Sequence, residues 1–183
     1  MKPKLLIVTG SSFKFNDLSA KLNEFFDCEQ REWNQPEIQG DGDEIIKHKL
    51  ARAYEIFKQP VLVDDVTVHI KELNGFPGPY MKDFWKCFTP QEMGVKFAGS
   101  KIKAICRLGL SRREGDFVIA KGEFNGKIIA PNNNDHKGRD FELFVQLDGM
   151  NKVMLDYTTE EKNEFSHRGK ATQNLLKILK KAK

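Results

Sequence analysis

Cysteine is scarce. Cys28, Cys87 and Cys106 are the three in 183 residues, an odd number set far apart. That spacing excludes a disulfide framework and a zinc-ribbon arrangement, and three reduced thiols suit a cytoplasmic protein. Long apolar runs are missing too. No stretch approaches the roughly 20 residues a membrane span needs, so no membrane partner is expected. The apolar run near the N-terminus lacks the longer core and small-residue cleavage site of a signal peptide. No internal repeat or linker interrupts the chain, and residues 1–183 are expected to form a single domain. His48, His69 and His136 show no ligand spacing. The G-x-x-x-x-G-K-[ST] phosphate loop is absent.

The chain is 39% hydrophobic and 31% charged, with a net charge of +4. This is the balance of a folded globular chain rather than a disordered one. The mild positive charge suits an anionic substrate. Part of it comes from Lys177, Lys180, Lys181 and Lys183, where a basic helix end complements the dipole. No stable nucleic-acid partner is expected from it.

Lys4–Val8 is a continuous apolar run, as expected for a strand buried on both faces. Thr9-Gly10-Ser11-Ser12 reads as a tight turn in which either serine can cap the next helix. Phe15, Leu18, Leu22 and Phe25 or Phe26 then recur at helical spacing. A second strand is expected over 29–33, and the Pro/Gly/acid stretch 34–43 reads as a loop. Asp43-Glu44 places negative charge at the start of a helix whose stripe is Ile46, Leu50, Ala53 and Phe57. Residues 61–63 form a buried strand ending in Asp64-Asp65, with an extended segment over 66–70. A Gly/Pro loop at 75–80 is followed by two short helices near 81–86 and 90–97. Strands over 101–111 and 117–124 pair through a polar turn. Asn125-Gly126 signals a hairpin with a return strand over 127–130. Residues 131–138 read as an exposed loop and 141–147 as a last strand. Ser166 caps a final helix with Ala171, Leu175, Ile178 and Leu179 facing the core. The expected architecture is α/β, with helices covering a mixed sheet and a β-rich second half.

Three places carry chemistry. Asp64 and Asp65, adjacent at a strand end, are hard oxygen donors of the kind Mg²⁺ takes beside waters and phosphates; strand ends of open α/β sheets line binding crevices. A pair of acids at a turn is the plainer reading. The turn Thr9-Gly10-Ser11 opens a helix whose N–H groups can hold phosphate, with Lys14 one turn in. A capped helix alone would look the same. Ser166-His167-Arg168 puts cations at a helix start, against the dipole, where they could face a phosphate or a purine edge.

In order along the chain, Thr9-Gly10-Ser11-Ser12-Phe13-Lys14, Pro36-Glu37-Ile38-Gln39-Gly40 with Asp43-Glu44 and Lys49, Leu62-Val63-Asp64-Asp65, Asn74-Gly75-Phe76-Pro77-Gly78-Pro79-Tyr80, and Glu161-Lys162-Asn163 with Ser166-His167-Arg168 resemble the motifs of the inosine triphosphate pyrophosphatase family. The five blocks span nearly the whole chain. The resemblance implies an elongated two-lobed fold with a central mixed sheet, usually as a homodimer. It implies cleavage of ITP, dITP or XTP between the α and β phosphates, giving the monophosphate and pyrophosphate, with Mg²⁺ or Mn²⁺. Asp65 would bind the metal and orient or deprotonate the attacking water, with Asp64 beside it and Glu37 as a further metal acid. Lys14 and Lys49 would clamp the phosphates, near Thr9, Gly10 and Ser11. Lys162, His167 and Arg168 would reach the base, and Lys82 would contribute to the substrate or dimer surface.

The chain departs from the family pattern at three points. Ser11 stands where an Asn is usual, and Val66 where a Ser or Thr follows the acids. Arg139-Asp140-Phe141-Glu142 replaces a Phe-Gly-aromatic-Asp segment that holds the base. Phe141 keeps an aromatic and Glu142 an acid, and the planar guanidinium of Arg139 could still stack on a purine. The phosphate residues are kept and the base pocket is altered, so a shifted or broadened base preference is expected. A nucleotide- or RNA-binding protein without turnover is the competing reading.

Overall fold

Every backbone element here follows from where the chain can bury apolar surface on one side of a sheet. The computed structural model describes residues 1–130 and 140–181. The strands are β1 (Lys4–Val8), β2 (Asp27–Arg31), β3 (Val61–Ile70), β4 (Pro77–Gly78), β5 (Lys101–Ser111), β6 (Phe117–Ile128) and β7 (Val145–Leu147). The helices are α1 (Ser12–Leu22), α2 (Gly42–Phe57), α3 (Met81–Phe84), α4 (Pro90–Lys96), α5 (Thr159–Phe165) and α6 (His167–Lys181). The sheet runs β2-β1-β3-β5-β6-β7, with β4 paired to β3. β1 is parallel to β2 and β3, and the remaining pairs are antiparallel, so the expected mixed sheet is present.

Period-two alternation decides which helix each strand residue meets. On one face Leu62, Leu108 and Ala120 pack with Leu18 and Leu22 of α1 and with Ala171 and Leu175 of α6. On the other, Leu6, Val61 and Val63 pack with Ile46, Leu50 and Ala53 of α2. A third cluster gathers Val68, Ile70 and Ile102 with Phe84, Met93, Phe124 and Phe144 toward the far end of the long strands. The three clusters place helices on both faces of the mixed sheet, the arrangement expected from sequence. α6 comes so close to β6 that a Cβ on Gly122 would stand 2.2 Å from the Ala171 nitrogen and 2.3 Å from the His167 carbonyl oxygen. No helix among the described residues is long and apolar enough to cross a membrane.

Local signals set the helix starts. The Ser11 hydroxyl accepts from the Lys14 amide at 3.3 Å, capping α1. Asp41 and Glu44 form a reciprocal capping box on α2, which therefore begins before Asp43. Ser166 accepts from the Gly169 amide at 3.0 Å and caps α6 as expected.

Several expectations need correction. β2 begins at Asp27 rather than Glu29. Asp64-Asp65 does not end a strand: β3 continues through it to Ile70, because β5 pairs with it along its whole length. Asn125-Gly126 makes no hairpin. β6 runs on to Ile128, with Asn125 and Gly126 paired to Lys103 and Ile102. The glycine instead admits β7, since a Cβ there would lie 2.4 Å from the Gln146 carbonyl oxygen. The segment Asp140–Leu143 is a 3-10 turn leading into the short β7. Ile178 is 39% exposed, while Ala171, Leu175 and Leu179 are buried. Helix α5, capped by Thr158, was not foreseen.

Candidate active site

β1 stays beside β3 only as far as the pairs Leu6↔Val61 and Ile7↔Leu62. β4 takes up that edge again at Val68 and His69. Asp64 and Asp65 fall in the open stretch between, just beyond the C-terminal end of β1. The "strand end" lining the crevice therefore belongs to β1, and the acids are carried past it by β3.

Being adjacent, the two acids point to opposite faces of the sheet. Asp64 meets Lys14 of α1 at 2.8 Å, with Arg168 of α6 at 3.9 Å. Asp65 meets Lys49 of α2 at 2.7 Å, and Lys49 reaches Glu37 at 2.7 Å on its other side. The edge of the sheet thus carries two ion pairs, one from each helical layer.

The environments tune these groups apart. Burial raises the Asp64 pKa, but the nearby Lys14 and Arg168 charges outweigh it and hold the carboxyl below its ordinary range. For Asp65 burial wins over Lys49, helped by Glu37 and Asp64, and the pKa is raised. Burial lowers Lys49, yet Asp65 and Glu37 raise it overall. The imidazole of His167 is driven down to about 3 by burial first and then by Arg168 and Lys14. It is neutral at physiological pH and packs edge-on against Phe124, ring centroids 5.2 Å apart.

Two neighbouring cavities meet at Lys14. One, of about 180 Å³, is polar: Thr9, Gly10, Lys14, Glu37, Lys49, Asp64 and Lys82 line it. The other, of about 320 Å³, has an apolar wall of Phe13, Val66, Val68, Met81 and Trp85, with Ser11, Glu142, His167 and Arg168 as its polar members. A larger hollow of about 590 Å³ lies between β6 and α6, lined by Lys121, Lys170 and Lys177, away from both acids. Size does not decide here; the polar cavity has the convergent charges.

Most of the residues read from the sequence fall around the two cavities, while Asp65 lines neither and meets the polar one through its ion pair with Lys49. Thr9, Gly10, Ser11, Lys14, Glu37, Lys49, Asp64, Lys82, Glu142, His167 and Arg168 all line one or other of the two cavities. Lys162 stands behind the wall, its ammonium 2.7 Å from Glu142, both side chains nearly buried. Arg168 is held by Asp17 of α1 at 3.2 Å. Arg139 lies outside the described residues, as does the side chain of Phe141. Missed were Asp17, Phe13, Trp85 and the segment Trp33-Asn34-Gln35, which walls the polar cavity. Asp17 follows Lys14 by three positions on the same helix face, a signal that was available.

The donor set also fits a hard divalent ion. Asp65 Oδ2 is buried and has no hydrogen-bond partner among the described residues. Glu37 supplies a second, half-exposed carboxylate. Among the described residues no three histidines, cysteines or acids converge.

The model of the Ham1 family matches residues 5–178. The chain belongs to the Ham1 family. An inosine triphosphate pyrophosphatase from Schizosaccharomyces pombe is 31% identical to it, over 98% of this chain and 96% of that protein. Another from Encephalitozoon intestinalis is 33% identical, over 94% and 90%. The solved structure of a Ham1 protein from Coxiella burnetii superposes with a TM-score of 0.81 at 20% identity, over 99% of this chain and all of that one. Family membership and fold therefore agree with the motifs read along the sequence.

Proposed function

We propose that the protein hydrolyses non-standard purine nucleoside triphosphates such as ITP, dITP and XTP to the monophosphate and pyrophosphate, and so clears them from the nucleotide pool. The observation that carries this is the pair of cavities sharing Lys14. A charged one suits a triphosphate, and an apolar one with a few polar groups suits a purine. The identity to inosine triphosphate pyrophosphatases over almost the full length supports the same reading.

In this reading the triphosphate lies along the open edge of β3, with Lys14 and Lys49 as its clamps and the α1 N-terminus as a further donor. Asp65, whose pKa burial has raised, accepts the proton of the attacking water. Asp65 and Glu37 would hold Mg²⁺ or Mn²⁺, which when bound supplies charge neutralisation at the phosphates. Asp64 keeps Lys14 in place through their ion pair. Glu142, braced by Lys162, and the neutral His167 face the base with Arg168. Lys82 reaches the phosphate side.

The remaining parts of the proposal are coarser. Free cysteines suit a cytoplasmic location. One sheet joins strands from β1 to β7, which supports reading 1–183 as one domain. Phe76 and Tyr80, 48% and 40% exposed on the loop before α3, offer a second copy an aromatic surface for a homodimer.

Pyrophosphate release from ITP, XTP, dUTP and the four standard triphosphates, with and without Mg²⁺, tests the reading. Preference for the 6-oxo purines and dependence on the metal are expected. Comparable rates on every substrate would remove the pool-cleaning role. A relaxed specificity is the second reading, favoured by the apolar wall of Val66, Val68, Met81 and Trp85, which offers a base contact area but few hydrogen bonds. Nucleotide binding without release would point instead to a binding protein.

A further inference from the structure

Helix α2 carries Lys49, and something must fix where along β3 that helix sits. Its apolar stripe packs on the sheet. Ile46 and Leu50 press on Val63 and on the bare backbone of Gly109, where an added Cβ would come within 3.3 Å of each. Aliphatic contact is non-directional and does not by itself set a position along the strand. Toward the first turn of α2 a polar contact with the sheet is added.

The polar contact comes from Arg107 of β5. It lies directly across the ladder from Asp65, with Lys121 on its other side in β6. Neighbours in register share a face, so Asp65, Arg107 and Lys121 form a row beneath α2. Arg107 is 8% exposed. Its Nε donates to Asp43 in the first turn of α2 at 2.6 Å, and a terminal nitrogen donates to Thr67 Oγ1 of β3 at 3.0 Å. Lys121 also donates to Asp43. The guanidinium lies against Gly42: a Cβ there would be 2.5 Å from its central carbon.

The network has a fixed direction. The Gly75 carbonyl only accepts, so His69 Nδ1 carries the proton that bonds it at 3.1 Å. His69 Nε2 then accepts from the Thr67 hydroxyl at 3.1 Å, which leaves a Thr67 lone pair for Arg107. Two cations beneath a helix N-terminus oppose its dipole, and Asp43 between them removes that conflict. The guanidinium bonds Asp43 through Nε and Thr67 through a terminal nitrogen, two donors held apart in one rigid plane, a spread that the single nitrogen of an ammonium does not reproduce.

We propose that Arg107 is a positioning residue, a clamp that seats the first turn of α2 on β3 and so holds Lys49 over Asp65. Lys49 lies roughly two turns along the same helix from Asp43. A shift of the helix start therefore moves the ammonium relative to the carboxylate. This rests on the role proposed above for Lys49, and two separate readouts keep the questions apart.

The test uses the full chain with Arg107→Met, Arg107→Lys and Thr67→Val. The first readout is the rate at which an amine-acetylating reagent labels Lys49, relative to Lys14 on the opposite face of the sheet. Arg107→Met should raise Lys49 labelling about tenfold while Lys14 stays within about twofold. The other two variants should give smaller rises in the same sense. The second readout is steady-state hydrolysis of ITP per folded molecule. Arg107→Met should lower kcat about tenfold and leave KM within about twofold, and Arg107→Lys should recover part of the loss. Unchanged Lys49 labelling, or an equal rise at every lysine, overturns the clamp. A kcat within about twofold of the parent while Lys49 labelling rises keeps the clamp and overturns the role proposed for Lys49. If Arg107→Met fails to fold, Thr67→Val decides by the same labelling ratio. If the parent protein releases no pyrophosphate, the proposed function fails and the labelling still judges the clamp.

Discussion

Lys49 Nζ stands 2.7 Å from a carboxylate oxygen of Glu37 and 2.7 Å from one of Asp65. One ammonium therefore serves two acids, one buried and one half-exposed. Replacing it by Met leaves Asp65 buried without its partner, at a cost of about 3 kcal/mol near neutral pH. Asp65 already has a raised pKa and would protonate more readily still, so the loss should shrink on acidification. Urea unfolding of Lys49→Met and the parent at pH 7 and pH 5 measures this. Equal losses at both would mean the cost is packing rather than charge.

Asp65→Asn keeps the size of the side chain and removes the proton acceptor. Loss of a general base costs about 10²- to 10⁴-fold. The expectation is a kcat for ITP reduced by at least about 10²-fold, with the fold retained, because Lys49 keeps Glu37. Stopped turnover with an unchanged circular dichroism spectrum is the result to look for. A full rate would take Asp65 out of the chemistry.

His167 sets an acid limit on stability. Its ordinary pKa of 6.5 falls to about 3 in the fold. Between those values the unfolded chain binds one more proton than the native one. Stability from this residue is complete above pH 6.5 and is lost as pH falls toward 3, at up to about 1.4 kcal/mol per pH unit. His167→Gln should flatten the parent's stability curve in that window. Superimposable slopes for the two proteins would contradict a buried neutral imidazole.

Gly122 is where α6 touches the sheet by backbone. An alanine methyl would meet the Ala171 nitrogen and the His167 carbonyl, atoms that cannot turn aside as a side chain can. Gly122→Ala should destabilise by about 3 kcal/mol. It should also lower activity more than Tm alone explains, since His167 and Arg168 open that helix. Thermal unfolding and ITP hydrolysis below the transition separate the two effects.

Much of this was legible in the sequence where local pattern and tertiary fate coincide. The apolar run of β1 and the stripe of α2 name their own burial. The capping residues Ser11 and Ser166 mark their helices. The failures share a cause. Asn125-Gly126 carries the chemistry of a turn, but the glycine is there for the approach of β7, which no local window contains. Asp64-Asp65 looked like a strand's end because polar residues seldom sit mid-strand. Their compensation comes from Lys14 and Lys49 on helices above and below. Arg107 gave no signal, since its partners Asp43 and Thr67 lie 64 and 40 positions away.

The alternation of β3 has a further consequence. Which acid looks toward α1 and which toward α2 is settled by parity alone. Deleting a single residue between Pro60 and Asp64 would hand each carboxylate the other's helix. Asp65 would then inherit the company of Lys14 and Arg168, and the composition of the chain would hardly change. The left and right sides of this crevice are counted out along one strand, so its tolerance to insertions there is far narrower than its tolerance to substitutions.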